Sequence, residues 1–388
     1  MLERPISKAG WARVRFDQIA TQINDRVDNP AEAGVDRYVG LEHLDPDSLR
    51  IRRWGEPTDV ESTKLRFQPG DIIFGKRRVY QRKVAVADFE GICSAHAMVL
   101  RAKPGAVLPE FLPFFMQSDL FMERALSISV GSLSPTINWK ALAAEEFLLP
   151  PIQEQARLVE ALLAVDEALE SYERAAMDAQ KVIDAIIDGE MAEGVARKRL
   201  EVSAVVVTKG ESPRWQGFEY SSVGIPFLTS ENVLAASIDL SDLKCIPPEF
   251  HEKLRRSQIF PGDVLINIVG ASIGRAAVVP DQVKEANTNQ AVAVVRLDTK
   301  RLKADYLVRI FLSQRFQREM TKMLVNSARA NVSLTDIRNF LIPDRAIDHQ
   351  AEIIRQINGI QSAVNSFQSR ARELVAIRKQ AIGSGEGE

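Results

Sequence analysis

From Pro150 to Glu190 the apolar positions fall into one stripe. Leu158, Leu162, Val165, Leu169, Tyr172, Ala176, Ala179, Ile183 and Ile186 recur at alternating steps of four and three. That rhythm predicts a coiled-coil seam, because the inward face of a globular helix drifts toward a period of 3.6. Two long helices packed only on their own domains would be the plainer reading, and the unbroken rhythm argues against it. Pro150 and Pro151 end what precedes and suit a first helical turn, where no N–H is needed. Gly189 and Gly194 bracket the expected exit.

The same seam returns 195 residues later. Ile353, Ile357, Ile360, Val364, Phe367, Ala371 and Leu374 keep the offset at seven consecutive positions. Asn358 and Gly359 make this second helix intrinsically weaker.

The stretch before each helix repeats too. Residues 1–149 alternate short β-like runs with turns: Arg37-Tyr-Val-Gly, Asp71-Ile-Ile-Phe, Lys83-Val-Ala-Val and Ala97-Met-Val-Leu, parted by Gln68-Pro-Gly-Asp and Lys103-Pro-Gly. Pro109–Met122 reads as one short helix. Residues 191–199 read as a polar linker, and the order then recurs. Phe67-Gln-Pro-Gly-Asp-Ile-Ile returns as Phe260-Pro-Gly-Asp-Val-Leu, Glu110-Phe-Leu as Asp305-Tyr-Leu, and Phe147-Leu-Leu-Pro as Phe340-Leu-Ile-Pro. The repeat unit is therefore a domain plus its following helix. The expected division is 1–149, 150–195, 196–343 and 344–388. Each domain is expected to be α+β, with a strongly twisted, mostly antiparallel sheet.

A short linker holds the second domain near the end of the first helix, and the second helix starts from that domain. The helices can then share a seam only if they run antiparallel, which predicts two similar domains in a pseudo-two-fold arrangement. A seam from Leu158 to Ile186 spans about 42 Å at 1.5 Å per residue. On B-DNA that is about 12 base pairs.

Composition narrows the function. The 388 residues exceed what one core organises, and 45% hydrophobic with 26% charged residues is ordinary for a soluble globular protein. A formal net charge of −2 means that any nucleic-acid affinity must come from a local basic surface. The two cysteines, Cys93 and Cys245, lie far apart and read as reduced thiols. The start of the chain lacks an apolar run for secretion, and no stretch suits a membrane helix. Together these point to the cytoplasm.

The twice-used Pro-Gly-Asp turn, the Leu-Leu-Pro-Pro-Ile-Gln-Glu-Gln start of helix one and the duplicated domain–helix order carry a resemblance over essentially the whole chain. The chain resembles the specificity subunit of type I restriction–modification systems. In helix one the motif residues are Pro150, Pro151, Glu154 and Gln155. The second copy keeps Pro343 and Gln350, has His349 in place of the glutamate, and lacks the double proline. The resemblance implies that each domain reads one half of a bipartite target on double-stranded DNA. It implies helices that set the gap and dock two modification subunits, which carry the methyltransferase chemistry. Restriction subunits, ATP-dependent translocases and endonucleases, would join that complex.

Chemistry within the chain is scarce. Gly70-Asp-Ile-Ile-Phe-Gly-Lys fits a phosphate loop, but Arg77 stands where Ser or Thr should hold Mg²⁺, and the second copy lacks the glycine and lysine. His43, His96, His251 and His349 have no cysteine partners at zinc spacing and read as isolated. There is no glycine-rich cofactor loop, and Asn29-Pro30-Ala31 is a poor match to the run expected of an amino-methyltransferase. The chain is therefore expected to be non-catalytic, without cofactor or metal. Its rivals are a self-contained methyltransferase or nuclease, and a duplicated scaffold that binds only proteins.

Candidate DNA contacts fall in matching loops. Lys76, Arg77, Arg78, Arg82 and Lys83 form a run without acids, interleaved with Tyr80 and Gln81. Such residues hold phosphates and bond base edges; a solvated loop would look the same. The second copy has Asn267, Ser272 and Arg275 there, less charge and more glycine. The polar loop before each helix offers Ser132, Ser134, Thr136, Asn138 and Lys140, then Asn326, Ser327, Arg329, Asn331 and Ser333, all equally compatible with turns and caps. Asn289 and Gln290 match an adenine edge but also suit a turn. Trp11, Trp54, Trp139 and Trp215 read as core. Glu160, Glu167, Arg174 and Lys181 lie off the seam.

Overall fold

The computed structural model describes residues 10–326 and 330–382. The described residues form two compact units, one of residues 10–174 with 367–382, the other of residues 175–326 with 330–366.

In the first unit, strands Ala20–Ile23, Met98–Ala102, Ile72–Phe74 and Val84–Val86 lie side by side in that order, all antiparallel. A second sheet, Arg26–Val27, Lys64–Phe67, Gly91–Ser94 and Tyr38–Val39, closes on one parallel pair. The expected single sheet is thus two, and antiparallel pairing prevails. The predicted helix Pro109–Met122 is likewise two, Phe111–Gln117 and Asp119–Ser127. Ser118 breaks it: its backbone is extended, and its hydroxyl accepts from Phe121 N at 3.3 Å as a new N-cap.

The second unit repeats this. Strands Ala204–Lys209, Val292–Leu297, Val264–Asn267 and Ala276–Val278 follow the same order, beside a smaller sheet with one parallel pair. The "linker" contributes strand Arg197–Arg199, paired with Leu341–Pro343, as Ala12–Arg15 pairs with Glu146–Leu149 in the first unit.

Three devices recur residue for residue. The Pro-Gly-Asp turns place Gly70 and Gly262 at φ 88° and 83°, which glycine adopts without Cβ strain. Each turn's aspartate is buried and accepts a bidentate arginine, Asp71 from Arg101 (2.7 and 2.9 Å) and Asp263 from Arg296 (2.8 and 2.7 Å). Three phenylalanines pack against one another in each core: Phe115 edge-on to Phe121 and Phe147, which stack on each other, then Phe340 edge-on to Phe311 and Phe316, which are tilted. Finally, Gln155 and Gln350 pin each long helix to its domain. Gln155 accepts from Leu108 N at 2.9 Å and donates to Pro150 O at 2.9 Å. Gln350 does the same with Lys303 N (2.9 Å) and Arg345 O (2.8 Å). Gln155→Ala strands one buried and one half-buried backbone group and is expected to cost about 2–3 kcal/mol. A urea melt reads this as a lower midpoint at unchanged slope.

The long helices run Ile152–Glu190 and Ile347–Gln380. Gly189 lies inside the first, and Gly194, at φ 84°, makes the turn beyond it. They pair antiparallel. In the first unit Tyr172 meets Phe367, ring centroids 6.2 Å apart, and Asp166 meets Arg378. In the second, Glu190 meets His349. Leu162, Leu169, Ala176, Ile183, Ile357 and Val364 are buried, and Leu158, Val165, Tyr172, Ile353, Ile360, Phe367 and Leu374 are half-buried. Ile187 is buried more deeply than the expected Ile186.

The departure at His349 has a physical reason. In the first unit Glu154 accepts from Trp11 Nε1 at 3.1 Å. In the second, the matching position faces the buried carboxylate of Glu190, which accepts from His349 Nε2 (2.9 Å), Arg345 Nε (3.1 Å) and Tyr306 Oη (2.5 Å). A glutamate there would oppose a like charge. Burial pushes the Glu190 carboxyl up, but the bonds from Tyr306 and His349 and the nearby Arg345 outweigh it and hold it below the usual range. Its stabilisation is fully present above the ordinary glutamate value of about 4.3 and is lost as pH falls through the depressed value. Glu190→Gln is therefore expected to be less stable at neutral pH and to flatten the acid limb of a stability-versus-pH curve.

Candidate nucleic-acid interface

In the first unit the two predicted loops are fastened to each other. Strand Ile72–Phe74 delivers the basic run, and two backbone hydrogen bonds, which set Arg77 opposite Thr136, bind it to the polar loop. Ile137 N donates to Lys76 O at 3.0 Å, and Arg78 N donates to Pro135 O at 2.8 Å. Arg78 Nε adds a bond to Ser134 Oγ at 3.3 Å. Arg78 and Arg82 both hold left-handed backbones, φ 57° and 53°, around the short turn Val79–Gln81. Each costs a non-glycine residue roughly 1–2 kcal/mol. The buried Val79 and the ties above hold the turn, and Tyr80 stands exposed on it.

The seven residues of the run divide by role. Arg78 and Tyr80 are exposed; Lys76, Arg77 and Gln81 are half-open. Arg77 and Arg78 have no carboxylate in ion-pair reach among the described residues. Arg82 does not face outward as expected. It bonds Asp47 (2.9 Å), Asp119 (3.0 Å) and Gln117 O (2.6 Å), and so anchors the loop. Lys83 is likewise spent on Leu41 O at 2.6 Å. Burial lowers the Lys76 ammonium below the usual lysine range. Asn138 caps helix Trp139–Ala144 through Ala141 N at 2.8 Å, and Ser132 is exposed.

His96, read from sequence as isolated, joins this face, with Nε2 3.3 Å from Arg77 Nη1. Partial burial, then Arg77 and Lys76, hold its imidazole below the usual range, so it is neutral near pH 7 and can accept from the guanidinium. Nothing in its sequence neighbourhood marks it, because the contact spans 19 residues across the sheet.

The second unit joins the equivalent segments. Val269 bridges Asn331, and Val332 N donates to Ile268 O at 3.0 Å. Arg275 and Asn331 are exposed, Ser272, Asn289 and Gln290 half-open. Asn267 is a correction: it is 0% exposed and cannot reach DNA from there. Its Nδ2 donates to Ser230 O (2.9 Å), Val233 O (3.3 Å) and Ser272 Oγ (3.1 Å), so it positions the loops around it. Asn289 Oδ1 accepts from Ala291 N at 3.0 Å. Ser333 caps helix Leu334–Asn339. The side chain of Asn326, and Ser327 and Arg329, lie outside the described residues. Two tryptophans leave the core: Trp215 is 79% exposed, and Trp54 is half-exposed beside Arg37 and Phe89.

Among the described residues no group of His, Cys, Asp and Glu could hold a metal ion, and no helix is long and apolar enough to cross a membrane. Burial raises the Cys93 thiol to about 12, which leaves it unreactive.

A sequence family described as the type I restriction modification DNA specificity domain matches residues 55–176. Those residues belong to that family. They hold the first Pro-Gly-Asp turn, both candidate loops and the start of helix one. The specificity subunit of the type I restriction enzyme EcoDI from Escherichia coli is 32% identical over 180 residues, 43% of this chain and 38% of that subunit. That match thus spans little more than a third of the relative's length. The EcoKI specificity subunit of Escherichia coli K12 is 22% identical over 353 residues, 81% of this chain and 75% of its own. A chain solved in work on complex assembly and conformational transition of the type I R-M system covers 97% of this one, with TM-score 0.63 and 22% identity. At that identity the likeness shows the fold. The chain is a relative of type I specificity subunits.

Proposed function

We propose that this chain is the sequence-specific DNA-binding subunit of a type I restriction–modification complex and has no catalytic role or cofactor of its own. The domains within 1–149 and 196–343 each read one half of a bipartite duplex target. The paired helices set the gap and dock two methyltransferase subunits, and restriction subunits join that assembly, in the cytoplasm. One observation carries this reading: both copies bind the same two loops together at the same place, yet fill them with different chemistry. The first presents Arg77, Arg78 and Tyr80; the second presents Ser272, Arg275 and Asn331. A shared frame with divergent loops suits two readers of unlike half-sites.

The test is to express the chain with its cognate modification subunit and map methylated sites genome-wide. A two-part motif with an unread gap supports the reading. Methylation without sequence preference, or S-adenosylmethionine binding by the isolated chain, contradicts it.

A further inference from the structure

The polar loop of the first unit carries two apolar side chains where water would favour none. Leu133 is 91% exposed and Val130 is 75% exposed. The loop is not loose. Val130 N donates to Thr136 O and Thr136 N to Val130 O, both at 3.0 Å, which closes a narrow hairpin over Gly131 to Pro135. Gly131, at φ 116°, supplies a backbone that other residues rarely adopt. The hairpin base is tied to the backbone at Arg77 and Arg78, and Arg78 Nε reaches Ser134 Oγ, the neighbour of Leu133, at 3.3 Å; neither arginine has an acidic partner among the described residues. Segment 128–138 contains no acid. The second unit keeps an exposed valine, Val325 at 73%, at the same repeat position as Val130.

An exposed leucine on a tied hairpin, one residue from a side chain that holds Arg78, suits a polyanion that also offers apolar surface. Duplex DNA is such a partner: its phosphates take the arginines, and its bases offer thymine methyls in the groove and the faces of base steps. Resting on the DNA-reading proposal above, we infer that Leu133 makes an apolar contact with bases of one half-site and so contributes to its specificity. Val130 supports the hairpin wall behind it.

The experiment is selection from a pool of random-sequence duplexes, using the full chain assembled with its modification subunits. Leu133→Ala is expected to weaken preference roughly fivefold or more at one or two adjacent base pairs of one half-site and leave the other half-site unchanged. Leu133→Met is expected to restore it. Because the side chain is exposed, the melting temperature should not move. Two arms separate the sources on the selected sequence. Uracil in place of thymine reproduces the loss if the contact is a methyl group. A 2-aminopurine at the step brightens with the wild type, but not with Leu133→Ala, if the contact is a base face. A motif altered by Leu133→Ala with neither response overturns the inference, as does an unchanged motif. If the wild type itself enriches no sequence, the underlying proposal fails instead.

Discussion

Arg77→Ala with Arg78→Ala is expected to weaken duplex binding roughly ten- to hundredfold near 0.1 M salt. The effect is large because neither guanidinium is neutralised by a carboxylate among the described residues, and the frame that carries them stays in place without them. The backbone bonds to Ile137 and Pro135 do not need the guanidiniums. The loss should shrink as salt rises. If both arginines neutralise phosphates, the slope of log affinity against log salt falls by about two units. If one of them bonds guanine instead, the slope falls by about one and preference at one base pair relaxes. Arg82→Ala should behave differently. Its partners are Asp47, Asp119 and a backbone carbonyl, so its removal lowers stability first. Affinity measured from 50 to 300 mM salt, with melts on the same variants, separates the two roles. An unchanged affinity and slope for the double variant would remove this loop from the site.

The second large effect is expected inside the helix pair. Arg378 occupies the repeat position of Ile183 yet is only 2% exposed. Its guanidinium meets Asp166 at 2.5 Å and the carbonyl of Asp47, while its Nε has no partner. Burial lowers its proton affinity, and Asp166 and Asp47 oppose that. Asp166→Ala leaves this cation buried without its carboxylate and should cost about 3–5 kcal/mol. The other copy shows an alternative, with Ile183 in place of the arginine and Gln361 in place of the aspartate. Arg378→Ile with Asp166→Gln is therefore expected to lie within about 1–2 kcal/mol of the wild type, or above it. A double-mutant cycle by urea unfolding gives the coupling. A double-variant loss equal to the sum of the two single-variant losses would mean that the pair is not coupled.

The fold was legible where one period persisted. The heptad seam, the 195-residue offset and the Pro-Gly-Asp turns are local patterns repeated many times, and the structure keeps them. What escaped reading depended on single residues with two available uses. Ser118 could continue a helix or cap a new one, and its hydroxyl caps. The basic run looks uniform in sequence, but Asp47, Asp119 and Leu41 are distant in the chain, so nothing local showed that Arg82 and Lys83 were already taken. Asn267 sits in a strand where a polar side chain suggested exposure, yet three acceptors from neighbouring loops converge on its amide. His349 looked like a lost glutamate until Glu190 appeared opposite it. Leu133 was overlooked because hydrophobicity alone places leucine in a core.

The most direct test removes one heptad from each long helix at matched seam positions, then selects targets from random duplexes with the assembled protein. Each heptad is about 10.5 Å of helix, close to three base pairs. The two half-sites should persist while the number of unread base pairs between them changes. Recovery of the original gap by the shortened protein would contradict a helix pair that measures DNA.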